Sequence, residues 1–407
     1  MKTMIPVAEA HQLILSKIKS MPAKEVNLIE AIGMRLAEDI EIKDSLPPFN
    51  RSAMDGYAIR SIDTLDKESV TLKVIEELPA GKVSENVIEP GTCIMLMTGA
   101  PIPRGADSVV KRELVEHEDG LAKVPGKIQI GLNVDPVGSD LVAGSTLPKG
   151  TLIGPGEAAI LASQGYAKVK IHQRPKVAIL TTGDELLAID APLEPGKIRS
   201  SNGYMLYAAI KEFGGEPGIY PALTDNYMDT KEMLIKAGEE NDLVLSTGGV
   251  SMGNFDFVRK ALIEIADEPL FWRLQIKPGM PVVGAIREGT LYLGLSGKPN
   301  GALLNFYLMA TTAIAKLLGN DNFQLPKIEA KIHDNLPANT SGRNIYLFAK
   351  ARFNGEWNVS RIGGGQLASL IGYNALIEIP VDSKPLKKGD TINVILLKEL
   401  TCIGTGN

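Results

Sequence analysis

The sequence contains few of the residues that build covalent or metal frameworks. Only two cysteines, Cys93 and Cys402, occur in 407 residues, and they lie far apart. This excludes a disulfide framework and a cysteine-rich zinc site, and we expect reduced thiols in a cytoplasmic protein. The four histidines are scattered along the chain. Their dispersal disfavours acid–base or metal chemistry based on histidine.

Long apolar runs and long runs of one charge are also missing. No stretch of about 18 apolar residues is uninterrupted, so we expect no membrane span. The N-terminal pattern MKTMIPVAEAHQLILSKI predicts an amphipathic helix rather than a signal peptide. The formal net charge is -5 and the basic residues are scattered, which argues against nucleic acid as a partner. Any anionic ligand must then be bound in a local pocket.

Two common nucleotide-binding signatures are absent. No Gly-Lys pair is followed by Ser or Thr, so the chain has no Walker A loop, and no G-x-G-x-x-G follows a strand-like run. These absences disfavour a P-loop NTPase and a Rossmann dinucleotide site. Catalysis would then depend on carboxylates, Lys, Ser or Thr, and a metal ion.

Three glycine-rich loops stand out instead: LTTGDEL at 180–186, STGGVSMGNFDF at 246–257 and GLSGKPNGAL at 294–303. Each follows an apolar run, and we expect each to lead into a helix. At the carboxyl edge of a parallel sheet, such turns expose backbone N–H groups that favour phosphates and oxyanions. The loops also carry carboxylates, which an anion would repel unless a cation such as Mg²⁺ lies between them. The residues alone therefore indicate a Mg²⁺-dependent enzyme that handles phosphate.

The chain is too long for one hydrophobic core, and its pattern of apolar and polar residues changes along its length. Apolar strands at 177–180, 242–246 and 291–295 alternate with four helical patterns, near 203–213, 228–240, 256–266 and 300–318. This alternation predicts a doubly wound α/β domain. The expected domains are a helical framework at 1–45 and 146–174, an inserted mainly-β domain at 46–145, the α/β domain at 175–324 and a C-terminal β-barrel at 325–407. We expect two helical patterns in 1–45, broken near Pro22, and a hairpin at FNGEW (353–357).

Several side chains in the loops are suited to a pocket. We expect Asp184 and Glu185 at a helix start, where one caps the helix and the other points into the cleft. The alternative is that both are simply acidic residues of the first helical turn. The glycines after Thr247 allow close approach of the backbone to a ligand. Further candidates are a ligand-orienting Ser251, a metal-orienting Asp256, Asp225 in another strand-to-helix loop and a charge-neutralising Lys277.

Outside the α/β domain, PPFNRSAMDGYAIR at 47–60 is too polar for simple packing. Its Asn50, Arg51, Ser52 and Asp55 together suggest a lip that faces a ligand. A plain turn at Asp55-Gly56 is the alternative interpretation.

Taken in order, SAMDGYA (52–58), MTGAPIP (97–103), LTTGDEL (180–186), STGGVSMGNFDF (246–257) and IKPG (276–279) resemble the molybdopterin molybdenumtransferase family, which is related to the E domain of gephyrin. The resemblance spans essentially the whole chain and implies a molybdopterin-binding α/β domain. It implies that Mg²⁺ and adenylylated molybdopterin bind, that molybdate is inserted as co-substrate, and that AMP is released. It also implies a homodimer whose site lies between the α/β domain of one subunit and the β module of the other, and contact with the adenylyltransferase of the same pathway.

The resemblance assigns roles by matching position. Implied catalytic residues are Asp55, Glu185, Asp225, Asp256 and Lys277, with Glu185 and Asp256 as metal ligands and Asp140 as a weaker candidate. Implied substrate-binding residues are Thr98, Thr182, Gly183, Asp184, Thr247, Gly248, Gly249, Ser251, Lys298 and Arg343.

Four positions depart from the family pattern. Met280 stands where many members have a second Lys, Ser296 and Lys298 stand where Pro and Asn are usual, and Gly364 replaces a typical Ser. We hypothesise that Lys298 offsets the missing cation at 280 if both side chains reach one pocket. The alternatives are a divergent paralogue with tungstate preference, a nucleotide hydrolase that uses the same carboxylates, and a non-catalytic scaffold like gephyrin.

Overall fold

The structure is a computed structural model that describes residues 1–251 and 256–397. Cys402 and part of the STGGVSMGNFDF motif lie outside the described residues. The chain divides into two compact units, one formed by residues 1–37 and 168–407 and the other by residues 38–167. No described helix has the length and apolar composition that crossing a bilayer requires.

The elements of residues 1–37 are β1 (Lys2–Ile5), α1 (Val7–Leu15), β2 (Ala23–Asn27) and α2 (Leu28–Ala31). The elements of residues 38–167 are β3 (Ile40–Glu41), β4 (Arg51–Ser52), β5 (Gly56–Ile59), β6 (Ser69–Leu78), β7 (Thr92–Leu96), β8 (Ser108–Lys111), β9 (Glu116–Glu118), β10 (Leu121–Pro125), β11 (Val134–Asp135), β12 (Thr146–Leu147) and α3 (Pro155–Ser163), with 3₁₀ turns at Ser61–Thr64 and Arg112–Leu114.

The elements from residue 168 up to the α/β core's last helix are β13 (Lys168–His172), β14 (Lys176–Thr181), β15 (Leu186–Leu187), β16 (Ile198–Arg199), α4 (Asn202–Glu212), β17 (Glu216–Ile219), α5 (Tyr227–Glu240), β18 (Leu243–Thr247), α6 (Phe257–Ile265), β19 (Glu268–Leu274), β20 (Ile276–Lys277), β21 (Val283–Arg287), β22 (Thr290–Leu295), α7 (Pro299–Asn305), a π-helical turn (Phe306–Ala310) and α8 (Thr311–Leu317). The C-terminal elements are β23 (Lys327–Ile332), β24 (Asn344–Phe353), β25 (Trp357–Arg361), a 3₁₀ turn (Ala368–Leu370), β26 (Ala375–Ile379) and β27 (Thr391–Leu396).

A seven-stranded sheet in the order β1-β19-β21-β22-β18-β14-β17 forms the centre of the larger unit. Strands β22, β18, β14 and β17 are mutually parallel, and β21 is antiparallel to both of its neighbours. From β14 the chain moves to β17 on one side and then returns to β18 on the other. The strand order therefore reverses between β14 and β18, which is where open α/β sheets bind their ligands.

Alternating side chains along the central strands cover both faces of this sheet. In β14, Val177 and Ile179 pack with residues of α1, α4, α7 and α8, whereas Ala178 and Leu180 pack with residues of α5 and α6. Helices on both faces confirm the predicted doubly wound α/β fold.

The predicted C-terminal barrel is also confirmed. Strands β24, β25, β23, β27 and β26 pair in that order, and β26 closes the ring by pairing with β24. Its aromatic residues Tyr346 and Phe348 join the core cluster of the α/β sheet. This packing fixes the barrel against the α/β domain.

The smaller unit contains a six-stranded sheet in the order β8-β5-β7-β6-β10-β9. In it, β5 pairs with both β7 and β8, so that Gly56 lies opposite Leu96. The SAMDGYA loop before β5 and the MTGAPIP loop after β7 therefore lie at one edge.

Two local predictions were wrong. The second helical pattern of residues 1–45 is mostly a strand, because β2 pairs with β13 and leaves one helical turn at α2. LTTGDEL does not lead into a helix either: β15 and β16 follow it as a short parallel ladder, and α4 begins at Asn202. Asp184 and Glu185 are therefore not residues of a helix start.

Candidate active site

The three glycine-rich loops contact one another at the carboxyl edge of β14, β18 and β22. The backbone N–H of Thr182 donates to Thr247 O at 3.1 Å, and that of Gly248 donates to Leu295 O at 3.3 Å. These bonds continue the register of the parallel strands beyond their ends. The loops therefore form one continuous wall.

Glycine permits this close contact at position 248. Gly248 has a φ of +91°, and a Cβ there would lie 2.6 Å from Thr182 Oγ1 and 2.9 Å from Thr182 O. On its other side, a Cβ on Gly297 would lie 3.4 Å from the Cα of Gly248. A side chain at 248 would push the first and second loops apart.

A cleft of about 720 Å³ opens along this wall, within the larger unit. Of the catalytic and substrate-binding residues proposed from the sequence, those lining it are Thr182, Glu185, Thr247, Gly248, Gly249, Ser251, Asp256, Lys277, Lys298 and Arg343. Gly183, Asp184 and Asp225 lie next to the cleft residues but are not among its lining.

Carboxylates crowd one part of the site. Asp184 accepts a hydrogen bond from the backbone N–H of Asp225 at 3.0 Å. Partial burial raises the pKa of the Asp225 carboxyl above its ordinary value. Negative charges on three neighbours act in the same direction: Asp184, Glu185 and Asp256. Carboxylates that repel one another in this way suit a divalent cation bound between them.

The Glu185 side chain folds back over the loop that carries it. A Cβ at Gly183, whose φ is +142°, would lie 2.6 Å from both Cδ and Oε1 of Glu185. The missing side chain at 183 therefore leaves the space that the Glu185 carboxylate occupies. This is a local reason for Gly in TTGDE that the sequence alone does not reveal.

Basic side chains line another part of the cleft. Strand β20 pairs with the barrel strand β24, with Ile276 opposite Asn344, and the N–H of Asn344 donates to Gln275 O at 3.0 Å. This pairing brings Lys277 and Arg343, which are distant in sequence, to the same cleft wall. Among the described residues, neither side chain has an ion-pair partner within 4.0 Å. Unpaired cations in a cleft are available to an anionic ligand.

Asp55 and Thr98 lie in the smaller unit and are hydrogen-bonded to each other there. The backbone N–H and the hydroxyl of Thr98 both donate to Asp55 Oδ1, each at 2.7 Å. The hydroxyl bond, and to a smaller extent the backbone bond, hold the pKa of Asp55 below its ordinary value. The positive charge of Arg112 acts in the same direction. The carboxylate is exposed and stays ionised. Asp140, the weaker candidate, lies 3.8 Å from Arg51 Nη2 in the same unit.

Sequence reasoning missed several lining residues. Arg199, Ser200, Ser201 and Asn202 border the cleft at the start of α4, and Gln366 reaches it from the barrel. Asn202 Nδ2 donates to Gly297 O at 2.8 Å, which ties α4 to the third loop. The signal that could have identified the α4 residues is RSSN at 199–202, a polar run before a helix. Gln366 belongs to IGGGQLASL, which drew attention only to Gly364.

The donor chemistry of the carboxylates fits Mg²⁺. Within residues 1–251 and 256–397, no three Asp, Glu, His or Cys side chains converge into a metal site of their own. Magnesium in phosphate-handling enzymes is usually held by one or two carboxylates together with ligand phosphates and water. Glu185 and Asp256 would supply such carboxylates from the cleft wall.

Comparison with known proteins identifies the family. Residues 5–165 match the "MoeA N-terminal region (domain I and II)" and residues 178–316 match the "Probable molybdopterin binding domain". The chain is 35% identical over 404 residues to the molybdopterin molybdenumtransferase of Staphylococcus epidermidis, with coverage of 97% of this chain and 96% of the relative. The chain belongs to the molybdopterin molybdenumtransferase family. A similar enzyme of Staphylococcus aureus is 35% identical over 402 residues, covering 96% of this chain and 95% of that relative.

A solved relative supports the same assignment. The structure of the molybdopterin biosynthesis moeA protein from Pyrococcus horikoshii superposes with a TM-score of 0.84 at 35% identity, covering 97% of this chain and 100% of that one. The resemblance stated from the sequence motifs is therefore confirmed. As a family member, the chain is a transferase of molybdopterin biosynthesis, and the cleft at its strand reversal is the candidate active site.

Proposed function

We propose that this protein inserts molybdate into adenylylated molybdopterin in a Mg²⁺-dependent reaction that releases AMP. The observation that supports this most directly is the distribution of charge in the cleft. Glu185 and Asp256 lie on walls that also carry Lys277, Lys298 and Arg343. A substrate with a phosphate chain at one part and a reacting oxyanion at another matches that distribution.

Each group of residues has a role in the proposed reaction. Glu185 and Asp256 hold Mg²⁺, with Asp184 and Asp225 beside them. Bound Mg²⁺ would neutralise phosphate charge as the adenylate leaves. The glycine loops offer backbone N–H groups to phosphate oxygens. Lys277 and Arg343 bind molybdate near the dithiolene sulfurs of the pterin. Thr182, Thr247 and Ser251 orient the ligand through their hydroxyl groups.

We also propose a homodimer in which Asp55 and Thr98 of a second copy complete the site. The Asp55 carboxylate is exposed and kept ionised by its two hydrogen bonds from Thr98. It is therefore available to a cation or to a donor group outside its own unit. Direct transfer of the adenylylated substrate would involve contact with the adenylyltransferase of the pathway, and cross-linking of the two purified proteins tests this.

The test measures AMP release from adenylylated molybdopterin with molybdate or tungstate, with and without Mg²⁺. In Glu185→Gln and Asp256→Asn, we expect oxyanion-dependent turnover to fall by about 100-fold or more, because each loses a charge in the reacting site. Glu232→Gln, an exposed acid on α5, is the matched control and should behave like the wild type.

Other outcomes would contradict the proposal. AMP release that does not depend on an oxyanion would indicate a nucleotide hydrolase. Tight binding of the adenylylated substrate without turnover would indicate a scaffold. Turnover with tungstate in strong preference to molybdate would indicate a paralogue of different metal specificity.

A further inference from the structure

The loops that carry Met280 and Lys298 are joined by one buried side chain. Asn305 in α7 is fully buried, and its Oδ1 accepts from the backbone N–H of Ser296 at 3.1 Å. Its Nδ2 donates to Gly279 O at 2.8 Å. One amide therefore fixes the position of the Lys-Pro-Gly-Met turn relative to the loop that precedes α7.

Glycines bring the same two backbones into contact. A Cβ on Gly279 would lie 2.9 Å from Gly301 O, and a Cβ on Gly301 would lie 3.2 Å from the Cα of Gly279. The side chains of Met280 and Lys298 start beside this contact, and both line the cleft. Both residues therefore lie on loops that are fixed relative to each other at the cleft.

Met280 has a specific partner in the cleft. Arg343 Nη1 lies 3.1 Å from Met280 Sδ, within the range of a hydrogen bond to sulfur. A thioether is a weak, uncharged acceptor, so it orients the guanidinium without neutralising it. The backbone of Arg343 is held as well, because its carbonyl accepts from Asn339 Nδ2 at 2.8 Å and from Ser341 Oγ at 3.1 Å.

Lys298 is another cation that lines the cleft. It is exposed at the N-cap of α7, and no acidic side chain of the described residues pairs with it within 4.0 Å.

We propose that Lys298 binds the substrate oxyanion together with Lys277 and Arg343, and that Met280 is a positioning residue that aims Arg343 at that oxyanion. A tetrahedral dianion is a ligand class that suits a cleft lined by these three cations. The positive charge is thus supplied from the start of α7 rather than from position 280. This inference rests on the proposed function only in naming molybdate as the oxyanion.

The test is isothermal titration calorimetry of the full chain with molybdate, tungstate and sulfate, without adenylylated substrate. Lys298→Asn should weaken molybdate binding by about tenfold or more, because it removes a charged hydrogen-bond donor. The double variant Met280→Lys with Lys298→Asn returns a cation to the same space, and its Kd should lie within about threefold of the wild-type value. Lys384→Asn, an exposed lysine on the barrel, is the control and should leave the Kd unchanged.

Met280→Leu separates positioning from a purely structural role. We expect a weaker oxyanion Kd and a higher KM for molybdate, with unchanged KM for the adenylylated substrate and unchanged thermal midpoint. Equal changes in both KM values, or a lowered thermal midpoint that accounts for the loss, would overturn the role of Met280.

The inference on Lys298 is overturned if Lys298→Asn binds molybdate as well as Lys384→Asn does, if the double variant is as weak as Lys298→Asn, or if the wild type binds no oxyanion. Failure of the proposed function is a separate result. Wild-type protein that binds molybdate through Lys298 but releases no AMP would preserve the inference and refute the proposed reaction.

Discussion

Two candidate carboxylates, Asp225 in the larger unit and Asp55 in the smaller one, differ in what surrounds them. Asp225 is partly buried among Asp184, Glu185 and Asp256, and its pKa is raised. Asp55 is exposed, accepts two hydrogen bonds from Thr98, and has a lowered pKa. The pKa of the same residue type is thus shifted in opposite directions in the two places. The difference shows that burial and neighbouring negative charges disfavour the ionised form of Asp225, whereas hydrogen bonds from Thr98 favour the ionised form of Asp55.

The largest effect is expected from Asp225→Asn. The change should weaken Mg²⁺ binding by about 10- to 100-fold, because it removes one negative charge from the cluster of carboxylates around Asp225. Calorimetric titration with Mg²⁺ checks this, with Asp229→Asn on the exposed side of α5 as the control. Equal Mg²⁺ affinity in Asp225→Asn and Asp229→Asn would contradict the role given to this carboxylate.

The same variant has a defined dependence on pH in metal-free protein. A carboxyl whose folded pKa is raised binds protons more readily in the folded state, so stability falls as pH rises from its unfolded pKa through its folded pKa. Asp225→Asn lacks this loss. We therefore expect it to be more stable than the wild type above that window and to lose the advantage below it, as measured by urea unfolding across pH.

Gly183→Ala should reduce turnover by about tenfold, because a Cβ at 183 displaces the Glu185 carboxylate from its position over the loop. Gly196→Ala is the matched control, since Gly196 has a φ of +75° and nothing within 4 Å of its Cβ position. Both positions have a positive φ, which strains Ala more at +142° than at +75°, so thermal unfolding is measured beside activity. Only Gly183→Ala should lose activity. Equal activities would show that Glu185 tolerates the displacement.

Gly248→Ala tests the contact between the loops. It should lower the free energy of unfolding by about 2–4 kcal/mol, from left-handed backbone strain and from overlap with Thr182. Gly289→Ala, at a φ of +84° with open space around it, should cost about 1–2 kcal/mol from backbone strain alone. Denaturant unfolding measures both. If Gly248→Ala lowers the free energy of unfolding no more than Gly289→Ala does, the loops can separate freely.

The smallest effect is expected from Thr98→Val, which removes the hydroxyl donor to Asp55 and keeps the backbone one. The pKa of Asp55 should rise toward its ordinary value, as measured by carboxyl ¹³C NMR titration. A depressed pKa stabilises the folded state at pH values above the pKa of the unfolded state. The difference in unfolding free energy between the wild type and Thr98→Val should therefore shrink as pH falls through the folded pKa. An unchanged pKa would show that the backbone bond alone holds it.

Much of the α/β domain was predictable from the sequence. The apolar strands at 177–180, 242–246 and 291–295 and the four helical patterns between 203 and 318 agree with β14, β18, β22, α4, α5, α6 and α7–α8. These are buried strands and amphipathic helices whose periodicity is strong. The hairpin at 353–357 is also present, because β24 ends at Phe353 and β25 begins at Trp357.

The errors occur where pairing partners are distant in sequence. Residues 23–27 lie in the second of the helical patterns predicted for 1–45, but pairing with 168–172 makes them a strand. Similarly, Leu186 and Leu187 pair with Ile198 and Arg199 instead of starting a helix. Local periodicity cannot anticipate a partner supplied by tertiary structure.

The sequence by itself determined which chemical groups the site contains and that these groups follow the ends of strands. Apolar runs followed by TTGDE, STGGVS and GLSGK place glycines, carboxylates and a lysine at one sheet edge, since carboxyl ends of parallel strands share that edge. Only the tertiary structure decided which of these groups act on one another. Pairing of β20 with β24 brings Arg343 beside Lys277, and Asn305 joins the loops of Met280 and Lys298. The physical reason is that such contacts depend on backbones far apart in sequence that approach only when the core and the barrel pack.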